Sequence, residues 1–267
     1  MGRIRFVAIL IVLTALLWIQ APGRAQNSPG ADAQTAPAPA EEMQPDEIIR
    51  RFAAKETEFY EAWKQYSYHQ VAEVEVLSVN GLPKHETMTT VSDIVFNDNG
   101  SRDILVRRRA GTLESVIYTM QDEEVINNLQ PFALTEKELP EYDLKYLGKE
   151  RVDELECYVF SITPKNLKGK RLYFQGKIWV DDHDLQIVRT VGKPVPQKKN
   201  DQFPEFETIR QMVDKRYWFP VWTHAESYLK FSADEVHIEE TIAYSDYKRF
   251  GSKAKIIFDP DQNPPGN

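Results

Sequence analysis

Between Leu172 and Lys193 the chain reads LYFQGKIWVDDHDLQIVRTVGK, and this stretch limits the possible folds more than any other. Leu172, Phe174, Gly176, Ile178 and Val180 alternate with Tyr173, Gln175, Lys177, Trp179 and Asp181, the period of two that sends successive side chains to opposite faces of a strand. Asp181-Asp182-His183-Asp184 interrupts as a polar loop, and Leu185, Ile187, Arg189 and Val191 resume the alternation. Setting Val180 opposite Leu185 brings the apolar residues of both segments to one side, which predicts a β-hairpin in a sheet with one dry face. Trp179 falls among the polar residues of the other face, where its ring can cover a sheet edge or pack under another element.

Most of the remaining chain reads as more of the same sheet. Tyr68–Val79 ends at Asn80-Gly81, Thr87–Phe96 closes at Asn97-Asp98-Asn99-Gly100, and Arg102–Arg109 comes next; these are successive antiparallel hairpins with strong turn chemistry. Asn99-Gly100-Ser101 matches a glycosylation sequon, which a hairpin turn explains equally well. Tyr142–Val152 and Leu155–Pro164 pair across Asp153-Glu154, and three long strands, Phe206–Val213, Tyr217–Phe231 and Glu235–Phe250, come after the opening hairpin. Pro220 costs its strand a ladder hydrogen bond, so an edge position or a bulge is expected there.

One long helix is expected at Pro45–Gln65. Ile48, Phe52, Phe59 and Trp63, with Ile49 and Ala62, form an apolar stripe, and Arg50, Arg51, Lys55, Glu58 and Glu61 occupy the other face. Leu113–Leu139 breaks the strand pattern; Met120–Leu129 suits a short helix capped by Thr119, in the place where a lid or second covering helix would sit. The expected architecture is mainly β (α+β): a single curved antiparallel sheet of about ten or eleven strands forming an unclosed β-barrel, covered by an N-terminal helix and a short middle helix.

The ends set the compartment. Arg3 and Arg5 precede an apolar run from Phe6 to Ile19, and Gly23-Arg24-Ala25 puts small residues at a cleavage site, so residues 1–25 read as a signal peptide. The run of about 14 residues falls short of the roughly 20 that a spanning helix needs. No cysteine stands near the cleavage site, so the product is expected in the periplasm and is not itself a lipoprotein. Residues 26–44 form an Ala/Pro-rich linker expected to be disordered, residues 45–251 the half-barrel domain, and residues 252–267 a flexible tail. The formal charge is −8, and loss of Arg3, Arg5 and Arg24 takes it to −11, which argues against nucleic acid as a partner.

Chemistry is harder to find. The single cysteine, Cys157, allows no internal disulfide and no cysteine-based metal site, and reads as a buried, inert thiol. The five histidines fall one per element, without HxH or HExxH spacing, so no zinc site is expected. The aspartates at 181, 182 and 184 lack the glycine and terminal glutamate of the common calcium loop and read as a hairpin tip. No nucleophile or phosphate-loop motif occurs, and no carboxylate is found in an apolar run that would raise its pKa. Neither an enzyme nor a cofactor is expected. Arg107-Arg108-Arg109 and Lys168-Gly169-Lys170-Arg171 are either solvated strand ends or contacts for anionic lipid headgroups. A curved sheet under an apolar-striped helix, if its interior is not filled by side chains, leaves a cavity suited to an acyl chain.

These features carry a resemblance. The N-terminal helix Ile48–Trp63, Val91-Ser92-Asp93-Ile94-Val95-Phe96, Tyr158-Val159-Phe160-Ser161-Ile162-Thr163-Pro164, Gly176-Lys177-Ile178-Trp179-Val180-Asp181, Leu185-Gln186-Ile187-Val188-Arg189 and Tyr217-Trp218-Phe219-Pro220 together resemble the periplasmic lipoprotein-carrier (LolA-like) superfamily and its lipoprotein-sorting-like members, over about Asp46–Phe250. The resemblance implies an unclosed barrel with a helical lid, holding acyl chains of a lipid or lipoprotein. On that reading Phe52, Phe59 and Trp63 close the mouth, and Val74, Ile94, Phe174, Ile178, Ile187 and Ile242 line the wall by inward parity. Arg102 and Arg107 are the candidates for headgroup contact. Such a carrier is expected to be monomeric, with envelope membrane proteins as further partners. The competing expectation is an envelope interaction or sensor domain with a filled barrel, and a hydrolase without a recognisable motif comes third.

Overall fold

In the computed structural model the described residues are 43–97, 102–167, 169, 171–198, 202–231 and 235–250. The expected signal peptide, nearly all of the linker, the sequon turn and the C-terminal tail lie outside them, as do Lys168 and Lys170. Helix α1 spans Pro45–Trp63, and β1 (Tyr66–Leu77), β2 (Pro83–Phe96) and β3 (Arg102–Gly111) come after it. A short helix α2, Met120–Glu124, continues as a π-helical turn over Val125–Leu129. Then come β4 (Tyr142–Val152), β5 (Leu155–Pro164), β6 (Tyr173–Asp181), β7 (Ile187–Val195), β8 (Phe206–Val213), β9 (Tyr217–Lys230) and β10 (Glu235–Arg249). All pairings are antiparallel in one ten-stranded sheet of order β3-β2-β1-β10-β9-β8-β7-β6-β5-β4, whose edge strands β3 and β4 do not pair. The sheet is therefore not closed into a barrel.

The topology explains the long middle connection. The first three strands run outward to one edge, whereas the next seven start at the opposite edge and return, so that β10 pairs with β1. Residues 112–141 must carry the chain from one edge to the other. They cross the face that α1 covers, since Phe132 and Leu134 join Ile48 and Phe52 in one buried cluster. Thr119 caps α2 in a reciprocal arrangement with Asp122: the Thr119 hydroxyl accepts from the Asp122 amide, and the Asp122 carboxylate accepts from the Thr119 amide at 2.6 Å.

Helix α1 lies down as its stripe predicts. Ile48, Phe52, Ala53, Phe59 and Trp63 are buried, and each large apolar side chain removed from water contributes roughly 2 kcal/mol. One carboxylate accompanies them. Glu56 sits four residues after Phe52 and three before Phe59, on the apolar stripe itself, and is fully buried. No uninterrupted apolar run in the sequence flags Glu56, because helical spacing places it among apolar residues not adjacent to it in sequence. Arg210 of β8 answers it: Nη1 donates to both carboxylate oxygens at 3.1 Å, and both groups are at most 1% exposed.

The opening hairpin forms with a different register. Phe174, Gly176 and Ile178 of β6 face Pro194, Gly192 and Thr190 of β7, but a bulge interrupts the ladder beyond them, so that Val180 pairs with Ile187 rather than Leu185. Leu185 lies in the loop at φ +57°, and Arg189 pairs with Trp179, away from the inner face. The extra residue is Val188, and one inserted residue is enough to reverse the parity of the strand beyond it. Gly176 and Gly192 approach closely here. A Cβ on Gly192 would come within 2.7 Å of the Phe174 ring, so the glycine makes room for that ring.

The second face is not uniformly polar either. Cys157, Val159, Trp179 and Val188 form an apolar cluster on it; Trp179 donates from Nε1 to Glu150 at 3.0 Å and lies under the Arg189 guanidinium, 4.4 Å from the ring centre. Burial and the neighbouring carboxylates push the Cys157 thiol up to about 12. Pro220 falls at the expected bulge: Ile209 pairs with Trp222 but Arg210 with Pro220. The β9–β10 ladder runs from Trp222 to Lys230 and leaves Pro220 out.

Candidate functional site

The inner face divides according to the size of its inward residues. On the side of β5 to β8 the rows are aromatic and branched. Phe160, Phe174 and Phe206 are buried, and the Phe132 ring from the connection stacks on Phe174 with centroids 4.4 Å apart. Helix α1 adds Phe52, 5.6 Å from Phe160. Beneath the end of α1 a second aromatic group gathers, with Phe59 stacked on Trp63 at 5.4 Å and edge-on to Phe219 at 5.3 Å. On β1, β9 and β10, beyond the Tyr66, Tyr68, Phe219 and Tyr244 rings of that group, the inward residues are smaller. Ala72 and Val74 of β1 face Ile242 and Glu240 of β10, and Ala225 of β9 stands opposite Glu240.

Small side chains do not fill the space, and a cavity of about 390 Å³ opens there between the sheet and residues 113–119. Val74, Leu229 and Ile238 form its sheet wall, with Leu113, Val116 and Phe231 against them. Ile117 stands at the rim with 88% of its surface exposed. The volume is at the small end of the range for small-molecule sites, which runs from about 300 to 1,000 Å³.

Of the residues expected to line an acyl-chain cavity, Val74 alone is found on this wall. Phe52, Phe174, Ile178 and Ile187 belong to the aromatic core, and Phe59, Trp63, Ile94 and Ile242 to the cluster beneath the end of α1; each of the eight is at most 2% exposed. Arg102 and Arg107 do not line the cavity. Arg102 lies over the Trp63 and Phe96 rings, 5.1 and 5.4 Å from their centres, and donates to the Asn127 carbonyl. Arg107 donates to Asp93 at 2.7 Å on the surface. Sequence parity finds Val74, but Leu113 and Val116 lie in a segment without periodicity and give no comparable signal.

Glu240 is a second buried carboxylate that stands in no uninterrupted apolar run. It shares the face of Ile238, Ile242 and Tyr244 on β10, a legible signal, and it forms part of the cavity wall. Burial pushes its pKa up to about 7, against a hydrogen bond donated by Gln130 Nε2. Behind it a polar chain is buried. The Gln130 carbonyl accepts from the Thr208 hydroxyl at 2.8 Å, which lies 2.8 Å from the Thr223 hydroxyl, itself 3.2 Å from Tyr244 Oη. The hairpin aspartates make no such site. Asp181 accepts from the backbone amides of His183 and Asp184, Asp182 pairs with Lys149, and Asp184 accepts from Trp218 Nε1 at 2.7 Å.

No protein-family model matches the chain, and no curated protein sequence matches it. Similarity is found among solved structures. One is a DUF1329 family protein from Desulfovibrio piger, 16% identical over 76% of this chain and 92% of that one, with a TM-score of 0.42. Another is an outer membrane lipoprotein-sorting protein domain from Vibrio parahaemolyticus, 10% identical over 78% and 95%, TM-score 0.36. A third is a LolA superfamily protein from Nitrosomonas europaea, 14% identical over 73% and 93%, TM-score 0.34. With TM-scores of 0.42 and lower, the likeness carries no function from those proteins to this one. Among the described residues no helix is long and apolar enough to cross a membrane.

Proposed function

We propose that this chain is a non-enzymatic binding or carrier protein of the periplasm, and that it takes up one acyl chain of a lipid or lipoprotein. The periplasmic part of the reading rests on residues 1–25 of the sequence. The ligand part rests on one observation: an apolar cavity of about 390 Å³, walled by Val74, Leu229, Ile238 and Phe231, on a sheet whose other half is filled. An alkyl chain entering it exchanges water for aliphatic neighbours at about 25 cal/mol per Å². The exposed Ile117 at the rim adds apolar surface that a bound chain would cover.

Organic extraction of protein purified from the periplasm, followed by mass spectrometry, is expected to release an acyl-chain lipid. Delipidated protein is expected to take up a fluorescent fatty-acyl probe, and replacement of Ile238 by Trp, which fills the cavity, is expected to abolish uptake. Protein that carries no lipid and binds no acyl probe would overturn the reading. A second reading, an envelope protein-interaction domain, draws on the packed aromatic half of the face. Crosslinking in cells would then recover a protein partner and no lipid.

A further inference from the structure

The described residues that line the cavity include two carboxylates, Glu240 and Asp122, and no lysine, arginine or histidine. Glu240 is 7% exposed, on the sheet wall between Val74 and Ala225. A neutral amide, Gln130 Nε2, donates to one of its oxygens. The contrast with Glu56 is direct, because Glu56 has the Arg210 guanidinium against both its oxygens.

We propose that the cavity selects amphiphiles by the charge of their polar end, accepting a single aliphatic chain that ends in an ammonium group over one that ends in a carboxylate, and that Glu240 sets this preference. The proposal rests on the acyl-chain reading above and adds to it the chemistry of the end group. An anion brought into an apolar cavity beside an ionised carboxylate meets like-charge repulsion, poorly screened by the surrounding side chains. An ammonium there supplies the countercharge that the wall lacks, and it can donate to the Glu240 carboxylate. The upward displacement of the Glu240 pKa to about 7 fits this account. Burial disfavours its charged form, and a cationic ligand is the partner that would restore it.

The groups around Glu240 do not substitute for that partner. Asp122 of α2 adds negative potential, while burial pushes the Tyr118 and Tyr244 phenols above the ordinary tyrosine range and keeps them neutral. His224 of β9, when protonated, favours the ionised Glu240 carboxylate from a distance, but its ring nitrogen is 3.0 Å from Glu239 and makes no hydrogen bond to Glu240. The nearest basic side chain against Tyr118 is Arg109, already paired with Glu123. Val74 and Ala225, flanking Glu240 on β1 and β9, have no ionisable group.

The test is competition against a bound fluorescent acyl probe by dodecylamine, dodecanol and dodecanoate, which share a chain and differ in end group. At about pH 8.5, where Glu240 is ionised, dodecylamine is expected to bind about tenfold more tightly than dodecanol, with dodecanoate weakest. The amine-to-alcohol ratio is expected to fall toward one at about pH 5.5, where Glu240 is protonated, and to be lost at both pH values in Glu240→Gln. The pH comparison needs only the wild-type chain, so a poorly folded variant does not spare the proposal. If the three bind alike, or dodecanoate leads, the charge preference is wrong and the acyl-chain reading stands. If none of them binds, both fall together. A preference for the amine that survives in Glu240→Gln assigns it to another group, Asp122 first, and overturns the role given to Glu240.

Discussion

Two glutamates lie under the covered face of this sheet, and their surroundings are opposite. Glu56 comes down from α1 into the aromatic half, where the Arg210 guanidinium and the Ile187 amide saturate it. Glu240 rises from β10 into the other half, beside an open cavity, with Gln130 donating to it. Burial pushes both carboxyls upward, but at Glu56 the Arg210 charge and backbone amides oppose it. The packed half thus uses its buried charge to tie α1, β7, β8 and the connection together, since Arg210 also donates to the Phe132 and Ile187 carbonyls. The open half leaves its charge facing space. A filled region whose buried charge meets a countercharge lies beside a hollow one whose buried charge meets only a neutral amide.

The comparison breaks most sharply at Arg210. Replacing it by Met leaves Glu56 buried without a cation, and the expected loss of stability is about 3–5 kcal/mol, read from the denaturant midpoint. Changing both, Glu56→Leu with Arg210→Met, is expected to recover most of that loss, because two apolar residues need no pairing. A double variant as unstable as the single one would mean that the contacts to Phe132 and Ile187, rather than the ion pair, hold this half. Phe174→Ala should cost a similar amount, about 3–5 kcal/mol, since its ring is enclosed by Phe132 and Phe206. Leu229→Ala, on the cavity wall, is expected to cost about 2 kcal/mol, because one side of that residue already borders space. Equal losses at Phe174 and Leu229 would erase the distinction between the halves.

This division is only half legible in the sequence. Alternation and turn residues are local, and they mark β4, β5 and β8 at the residues where they form, together with the bulge at Pro220. The apolar stripe likewise marks α1. What they cannot mark is the single inserted residue Val188, which turns Arg189 and Val191 away from the inner face without altering composition. Parity also tells which residues point inward but not whether their summed volume fills the space. Phe174 and Val74 are equally inward in pattern, yet one is core and the other borders a cavity. The two glutamates are readable by period, at helical spacing for Glu56 and at strand spacing for Glu240. They are overlooked when only uninterrupted apolar runs are searched.

A smaller effect tests Glu240 by pH. The folded pKa of Glu240 stands at about 7 against an ordinary 4.5, so between these values the folded chain holds a proton that the unfolded chain has released. Stability therefore falls as pH rises from about 4.5 to about 7 and levels off above, with this group contributing on the order of 1–3 kcal/mol across the window. Equilibrium unfolding of wild type and Glu240→Gln at a series of pH values isolates the contribution, because the variant is expected to lack that part of the slope. A slope unchanged in the variant would mean that Glu240 does not carry a buried titration in this window.

The smallest effect sharpens the comparison at the cavity's cover. Thr119→Ala removes the hydroxyl that accepts from the Gln121 and Asp122 amides at the start of α2, and lost caps cost about 1 kcal/mol. Because α2 is five residues long with no buried side chain of its own, that loss is expected to stay local. Hydrogen exchange should quicken in residues 113–129, which cover the open half, while amides of α1 and β6 keep their protection. The chain also gains freedom at the rim beside Ile117, so probe release is expected to speed up by less than tenfold with little change in unfolding midpoint. Exchange that quickened equally in α1 would mean that the two halves open as one unit, and the cover could not then be loosened without loosening the fold.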